Sequence, residues 1–117
     1  HVTLLEPLRY SHFVELMALS RICLTDSGGI QEEAPFLNRP VLVLRDRTER
    51  PEGIAAGCAE LVGTDPDRIV TRVAHLLDDH RAWRKMADAP CPYGDGRAAE
   101  RIIETLAARE SFVGANT

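Results

Sequence analysis

The stretch ICLTDSGGIQEEAP, residues 22–35, decides the fold class of this 117-residue chain. It opens with a compact apolar run, passes through a Ser-Gly-Gly turn at residues 27–29, and continues with its apolar residues at helical spacing. Residues 41–44, VLVL, follow as an unbroken apolar run, which is typical of a strand covered on both faces. This order predicts an α/β fold with a parallel sheet and helices on both faces.

The same alternation continues on both sides of this stretch. We predict strands at residues 2–5, 22–25, 41–44 and 61–62, and helices over 12–20, from 29, from 66, over 83–87 and over 97–108. Ser11 is the expected N-cap of the first helix, and Asp65-Pro66 opens the helix from 66. Residues 45–58 read as a loop that contains at most a short helix. Two helices are expected to bury an apolar face, formed by Ile69, Val70, Val73, Leu76 and Leu77 in one and by Ala99, Ile102, Ile103 and Leu106 in the other.

The domain organisation predicted from these elements is a partial one. Four short strands make a thin sheet, and the chain starts at His1 on an apolar segment without an initiator Met. We therefore expect residues 1–110 to form a domain that lacks its first one or two strands and belongs to a longer protein. Residues 111–117 are expected to be a flexible tail.

Composition narrows the classes of function. No apolar run approaches the roughly 20 residues of a transmembrane helix, so we expect no membrane partner. The net charge of -4 argues against a general nucleic-acid binder, although local arginines can still hold a small anion. Cys23, Cys58 and Cys91 lack the spacing of a metal site, so we expect free thiols, no metal and a reducing, cytoplasmic location.

The candidate site lies where strands end, because ligands of open α/β sheets bind beyond the carboxyl ends of the strands. Ser27, Gly28 and Gly29 join a strand to a helix there. Glycines let a ligand approach the backbone closely, and a helix N-terminus offers unpaired N–H groups to a phosphate or diphosphate. A plain, tight strand-to-helix connection remains the alternative at this point.

Two charged residues extend this candidate site. Glu33 lies six residues after Ser27, where a carboxylate is placed to accept hydrogen bonds from ribose hydroxyls beyond a diphosphate. Arg50 belongs to the run RDRTERPE, residues 45–52, at the carboxyl end of the clearest strand, and Pro51 stiffens the chain after it. The alternatives are a solvated helix carboxylate and a loop whose charges neutralise one another.

Phe13 is the fourth candidate, near the start of the first helix. Its ring could stack on a nucleobase or pack against Leu16 and Met17, and the sequence favours packing.

Taken together, the segments LTDSGGIQEEAP (24–35), RPVLVLRD (39–46), TERPE (48–52), LVGTD (61–65) and PYGDG (92–96) closely resemble the signature of the non-hydrolysing UDP-N-acetylglucosamine 2-epimerases. The resemblance covers residues 4–107. It implies the C-terminal half of a glycosyltransferase-B-type fold, with a Rossmann-like domain that binds UDP. It also implies interconversion of UDP-GlcNAc and UDP-ManNAc by elimination and re-addition of UDP.

The resemblance also implies roles for individual residues. Ser27, Gly28 and Gly29 would bind the diphosphate, Glu33 the ribose, Arg50 the phosphate or sugar, and Phe13 the uracil. The family's catalytic acids, bases and histidine come from regions that this chain does not contain. We therefore expect no catalytic residue here and an inactive isolated chain. The four histidines do not match the family's motif: His1, His12, His75 and His80.

The resemblance further implies no organic cofactor, an N-terminal domain as partner and a homodimer in the complete protein. Three other interpretations stay open: a non-catalytic UDP-binding or regulatory module, the nucleotide domain of a glycosyltransferase of the same fold, and a hydrolysing epimerase.

Overall fold

The computed structural model describes residues 1–114, with side chains described for residues 1–109. Nine elements follow one another along this part of the chain: α1 (Tyr10–Leu19), β1 (Cys23–Thr25), α2 (Gly28–Phe36), β2 (Val41–Val43), α3 (Pro51–Ala56), β3 (Ala59–Leu61), α4 (Pro66–Asp78), α5 (His80–Ala87) and α6 (Ala98–Gly114).

The three strands form one parallel sheet in the order β1-β2-β3. Leu24 pairs with Leu42, and Leu42 pairs in turn with Glu60. Because all three strands run in the same direction, their carboxyl ends lie along one edge of the sheet, where the loops after β1 and β2 emerge side by side.

Helices cover both faces of this sheet, as the sequence predicts. Val41 and Val43 of β2 pack against residues of α1, α2 and α3. Leu42 points to the opposite face, where it packs with residues of α4 and α5. All three residues of β2 are fully buried because side chains alternate across a strand that has helices on either side.

The predicted strand at residues 2–5 is wrong. Residues 1–9 have no regular structure, and Val2 and Leu4 are exposed. An apolar run becomes a strand only when a neighbouring strand satisfies its backbone hydrogen bonds, and no described segment pairs with this one. The sheet of the described residues therefore has three strands, one fewer than predicted.

Several boundaries also differ from the prediction. Helix α1 begins at Tyr10 with Arg9 as N-cap, so Ser11 lies inside the helix. Helix α2 begins at Gly28, α5 at His80 and α6 at Ala98. The predicted strand at 61–62 is β3, shifted to Ala59–Leu61 and lying at the edge of the sheet.

The predicted start of α4 is confirmed, but part of its core face is not. Asp65 accepts a hydrogen bond from the N–H of Arg68 at 2.8 Å, and Pro66 is the first helical residue. Leu76 is buried, whereas Val70 and Leu77 are exposed. The apolar stripe of α4 is wider than the surface of the sheet and α5 that it covers.

The predicted core face of α6 is wrong for the described residues. Residues 98–109 are exposed throughout, including the apolar side chains of Ile102, Ile103 and Leu106 and that of Ala99. Helical spacing predicts an amphipathic helix but not which element covers its apolar side. The backbone of α6 continues to Gly114, residues 115–117 lie outside the described part, and the flexible tail at 111–117 stays a prediction.

Candidate functional site

The candidate site is built around the N-terminus of α2, directly after β1. Ser27 is the N-cap of the helix in an extended conformation, and its backbone N–H donates to Oγ1 of Thr25 at 3.0 Å. The hydroxyl of Ser27 makes no capping hydrogen bond, so it remains available to a ligand. The first N–H groups of the helix, including those of Gly28 and Gly29, have no acceptor within the helix.

Arg50 lies beside this helix terminus. A Cβ atom added to Gly28 would come 3.8 Å from Nη2 of Arg50 and 3.2 Å from Oε1 of Glu49. The loop after β2 therefore brings a guanidinium to the N–H groups after β1. Gly28 leaves room between them, and a larger residue would narrow that room.

Carboxylates on both sides hold the charges of this loop in place. Arg50 donates from Nε to Oε1 of Glu32 in an ion pair that is partly shielded from solvent. An arginine is charged at every physiological pH, and this hydrogen bond raises the pKa of Arg50 further. Arg45 pairs with Glu49 at 2.9 Å, and the pKa of Glu49 is lowered by its own backbone N–H and then by Arg45.

Glu33 faces the same side of α2 as the Ser-Gly-Gly turn. Its Oε1 and the Oγ of Ser27 each lie 3.9 Å from the position that a Cβ of Gly29 would take. The hydroxyl of Tyr10 donates to the other carboxylate oxygen at 3.1 Å. That hydrogen bond raises the pKa of Tyr10. Ser27, Gly29 and Glu33 thus form a continuous strip nearly two helical turns long.

Phe13 takes a different position. It is half-buried and packs against the cluster that contains Met17, Ala34 and Val41. It also lines a shallow groove of about 320 Å³ together with Leu24 and Ile30. Phe13 thus packs against the core. One side of its ring lines the groove next to β1 and α2.

A second groove, of about 370 Å³, adjoins Glu33 on the other side of α1. Its lining includes Tyr10, Glu32, Glu33, Phe36 and Tyr93. The space next to the strip is thus mostly apolar along its walls and carries carboxylates at its edge.

The structure brings together Ser27, Gly28, Gly29, Glu33 and Arg50. It places Phe13 apart from them, in the groove beside β1 and α2. Sequence reasoning missed four participants: Tyr10, Gln31, Glu32 and Thr48. Gln31 and Glu32 lie within the quoted stretch, so their place on the helix was a usable signal. Tyr10 gave none, because it meets Glu33 across 23 residues of chain.

Within the described part of the chain, no three His, Cys, Asp or Glu side chains are grouped to hold a metal ion. The side chains of all four histidines are exposed.

None of the helices traced in residues 1–114 is both long and apolar enough to cross a membrane. The three cysteines are free thiols, as predicted.

A family model decides the relationship of this chain to known proteins. The model described as UDP-N-acetylglucosamine 2-epimerase matches residues 1–107. The chain belongs to the UDP-N-acetylglucosamine 2-epimerase family. The resemblance inferred from the sequence is thereby confirmed.

Individual relatives agree with this assignment. The UDP-N-acetylglucosamine 2-epimerase of Escherichia coli K12 is 55% identical over 106 residues, which cover 91% of this chain and 28% of that protein. The enzyme of Bacillus subtilis 168 is 53% identical over 105 residues, covering 90% of this chain and 28% of its own length. The chain thus spans less than a third of the length of the curated relatives that it matches.

Solved structures show the same fold. The Neisseria meningitidis UDP-GlcNAc 2-epimerase bound to UDP-GlcNAc superimposes with a TM-score of 0.84 at 51% identity, covering 89% of this chain and 28% of that one. The S. aureus MnaA-UDP co-structure gives a TM-score of 0.86 at 46% identity, covering 92% of this chain and 30% of that one. The predicted α/β fold, as part of the larger epimerase fold, is confirmed.

Proposed function

We propose that this chain is the UDP-holding part of a UDP-N-acetylglucosamine 2-epimerase, which interconverts UDP-GlcNAc and UDP-ManNAc. The observation that carries the proposal is the meeting of Arg50 with the N-terminus of α2 at Gly28. Backbone N–H groups and a guanidinium that converge on one point are suited to a diphosphate. Relatives solved with UDP-GlcNAc and with UDP support the choice of nucleotide.

Different residues bind different parts of the nucleotide. The hydroxyl of Ser27 and the N–H groups of Gly28 and Gly29 bind the diphosphate, and Arg50 contacts its oxygens. Glu33, nearly two helical turns after Ser27, accepts hydrogen bonds from the ribose hydroxyls. Phe13 lies against the uracil, through the side of its ring that faces the groove beside β1.

This arrangement suits a reaction in which UDP leaves and returns. Elimination breaks the bond between the sugar C1 and the UDP oxygen while a base removes the C2 proton. In the re-addition UDP returns to the face of C1 that it left, and a proton is delivered to C2 from the opposite face, so that only C2 is inverted. Negative charge grows on the diphosphate as it leaves. Donors fixed beforehand at the N-terminus of α2 and at Arg50 stabilise that charge without reorganisation.

The isolated chain is proposed to be inactive. Removal of the C2 proton needs a positioned base with a tuned pKa, and Glu33 is occupied with the ribose. A domain alone also leaves the sugar open to water and unoriented. Epimerisation of UDP-GlcNAc by the purified 117-residue chain, measured by NMR of the anomeric protons, would contradict this part of the proposal.

The complete protein would supply the remaining groups. We propose an N-terminal domain that closes over the sugar, a homodimer, a cytoplasmic location and a role in making cell-envelope polysaccharide. No organic cofactor is needed, because the reaction returns both the proton and UDP to the sugar.

Calorimetric titration of the chain with UDP tests the proposal. We expect saturable binding that Glu33→Ala and Arg50→Ala each weaken. Arg81→Ala is the matched control, since Arg81 is exposed on α5, on the opposite face of the sheet, and the substitution removes the same charge. A cooperatively folded chain that does not bind UDP would contradict the proposal.

A further inference from the structure

The inference concerns what holds Arg50 in place. Gln31 lies on α2, is only 1% exposed, and accepts a hydrogen bond through Oε1 from the hydroxyl of Thr48 at 2.5 Å. Thr48 belongs to the loop after β2, so this bond joins the loop to the helix. The two residues that it joins are 17 positions apart in the sequence. The bond lies next to the surface on which the diphosphate is proposed to bind.

The same hydroxyl also binds the backbone of Arg50. The N–H of Arg50 donates to Oγ1 of Thr48 at 3.0 Å. A hydroxyl has one proton to donate and lone pairs with which to accept. Because Thr48 gives that proton to Gln31, its lone pairs are turned toward Arg50, and the directions of both bonds are set together.

Three further features restrain Arg50. Its guanidinium pairs with Glu32, the residue that follows Gln31. Its carbonyl accepts from the hydroxyl of Tyr93 at 3.4 Å. Its position before Pro51 limits the backbone on the other side. Adjacent residues of α2 thus control both ends of Arg50, Gln31 the backbone and Glu32 the side chain.

We propose that Gln31 and Thr48 are positioning residues that hold Arg50 ready for the diphosphate. The proposal rests on the proposed function, since it explains how Arg50 reaches its place there. A guanidinium fixed beforehand loses less conformational entropy when the ligand arrives. Neither Gln31 nor Thr48 needs to touch the nucleotide.

The polar nature of Gln31 is not explained by packing. Its Nε2 is buried without a hydrogen-bond partner among the described residues, which disfavours burial of an amide. A methionine of similar length would fill the space without that cost. The amide is therefore better explained by the bond that its oxygen makes to Thr48.

The test compares two readouts in the 117-residue chain. One is hydrogen exchange of the Arg50 amide, measured by NMR without nucleotide, and the other is the affinity for UDP by calorimetry. Thr48→Val keeps the shape of the side chain but removes the hydroxyl. We expect faster exchange of the Arg50 amide and UDP binding weaker by about tenfold, the effect of one lost hydrogen bond.

Controls separate positioning from stability. Thr48→Ser keeps the hydroxyl and should restore both readouts, while Thr71→Val makes the same change on an exposed site of α4 and should leave both unchanged. Gln31→Met should weaken UDP binding while leaving the melting temperature within a few degrees of the parent. A purely structural role would instead lower the melting temperature and leave UDP affinity unchanged.

The outcomes keep the two proposals apart. Unchanged Arg50 exchange in Thr48→Val would overturn the positioning role, whether or not UDP binds. Absence of UDP binding by the unsubstituted chain would overturn the proposed function, because the exchange measurement does not depend on nucleotide.

Discussion

Arg50 and Gly28 lie next to each other, with Nη2 of the arginine 3.8 Å from the point where a side chain on Gly28 would begin. They come from loops that follow two neighbouring parallel strands, β1 and β2. The sheet therefore fixes their meeting, and the absence of a side chain at Gly28 keeps the space between helix terminus and guanidinium open.

Gly28→Ala is expected to impair binding without impairing folding. Gly28 does not have a positive φ, so alanine fits its backbone conformation, and the side chain of Glu49 can move away from the new methyl group. The methyl group would enter the space proposed for the diphosphate, and such overpacking costs about 1–3 kcal/mol. We expect UDP affinity to fall about tenfold, with an unchanged or slightly higher melting temperature. Undiminished UDP affinity would mean that the diphosphate lies elsewhere.

Glu33 is expected to control the ionisation of Tyr10. Because the Tyr10 hydroxyl donates to Glu33, a negative charge on both groups is unfavourable, and the pKa of Tyr10 lies above its ordinary value of 10.0. Glu33→Gln should lower it toward that value. Ultraviolet absorbance titration in a Tyr93→Phe background isolates Tyr10, since the chain has two tyrosines. A Tyr10 pKa that is the same with and without the substitution would show that the two side chains are not in contact in solution.

Arg101 is expected to control the acid titration of Asp95. Both oxygens of Asp95 accept from Arg101, at 2.9 and 2.6 Å, and its pKa falls from 3.8 to about 2. A lowered carboxyl pKa contributes stability that is present above about pH 4 and is lost as the pH falls toward 2. Arg101→Gln should raise the pKa of Asp95 toward 3.8 and remove that part of the pH dependence.

Carbon-13 NMR of the carboxyl group reads the Asp95 pKa directly. Arg97→Gln is the control, because Arg97 binds Asp95 through its backbone N–H, which the substitution leaves in place. If both substitutions shifted the pKa equally, general surface charge would explain the effect rather than the Asp95–Arg101 pair.

Tyr93 is expected to stabilise the fold through the start of α3. Its hydroxyl accepts from the N–H of Gly53 at 2.9 Å, one of the N–H groups that α3 itself cannot satisfy. Gly53 is buried, so Tyr93→Phe should destabilise the chain by about 1–3 kcal/mol. Tyr10→Phe removes a hydroxyl at an exposed site and should cost less than about 0.5 kcal/mol. Urea unfolding compares them, and equal effects would refute the capping role.

Local patterns predicted the centre of the fold correctly. Within residues 22–44, the spacing of apolar residues and glycines predicts a strand, a glycine turn, a helix and a second strand. The structure has β1, α2 and β2 there. The failures depend on distant partners. Residues 2–5 have the composition of a strand without a described neighbour, and Ile102 has the spacing of a core residue on a helix face that stays exposed.

The candidate site divides in the same way. Ser27 and Arg50 could be expected to meet, because parallel strands carry the loops that follow them to one edge of the sheet. The bonds from Tyr10 to Glu33 and from Thr48 to Gln31 join segments whose relative placement depends on helix packing. The sequence places Gln31 on the helix of the site, but it does not show which distant side chain each of these residues binds.

The central claim, that Arg50 and α2 hold a diphosphate, is tested most directly by comparing UDP with uridine. NMR chemical-shift titration of the parent chain and of Arg50→Ala with each ligand gives four affinities, and their ratios cancel any general damage to the domain. We predict that Arg50→Ala weakens UDP by about tenfold or more, since a hydrogen bond to a charged group contributes about 1.5–3 kcal/mol, and leaves uridine unchanged. An equal loss for both ligands, or none for either, would contradict the account.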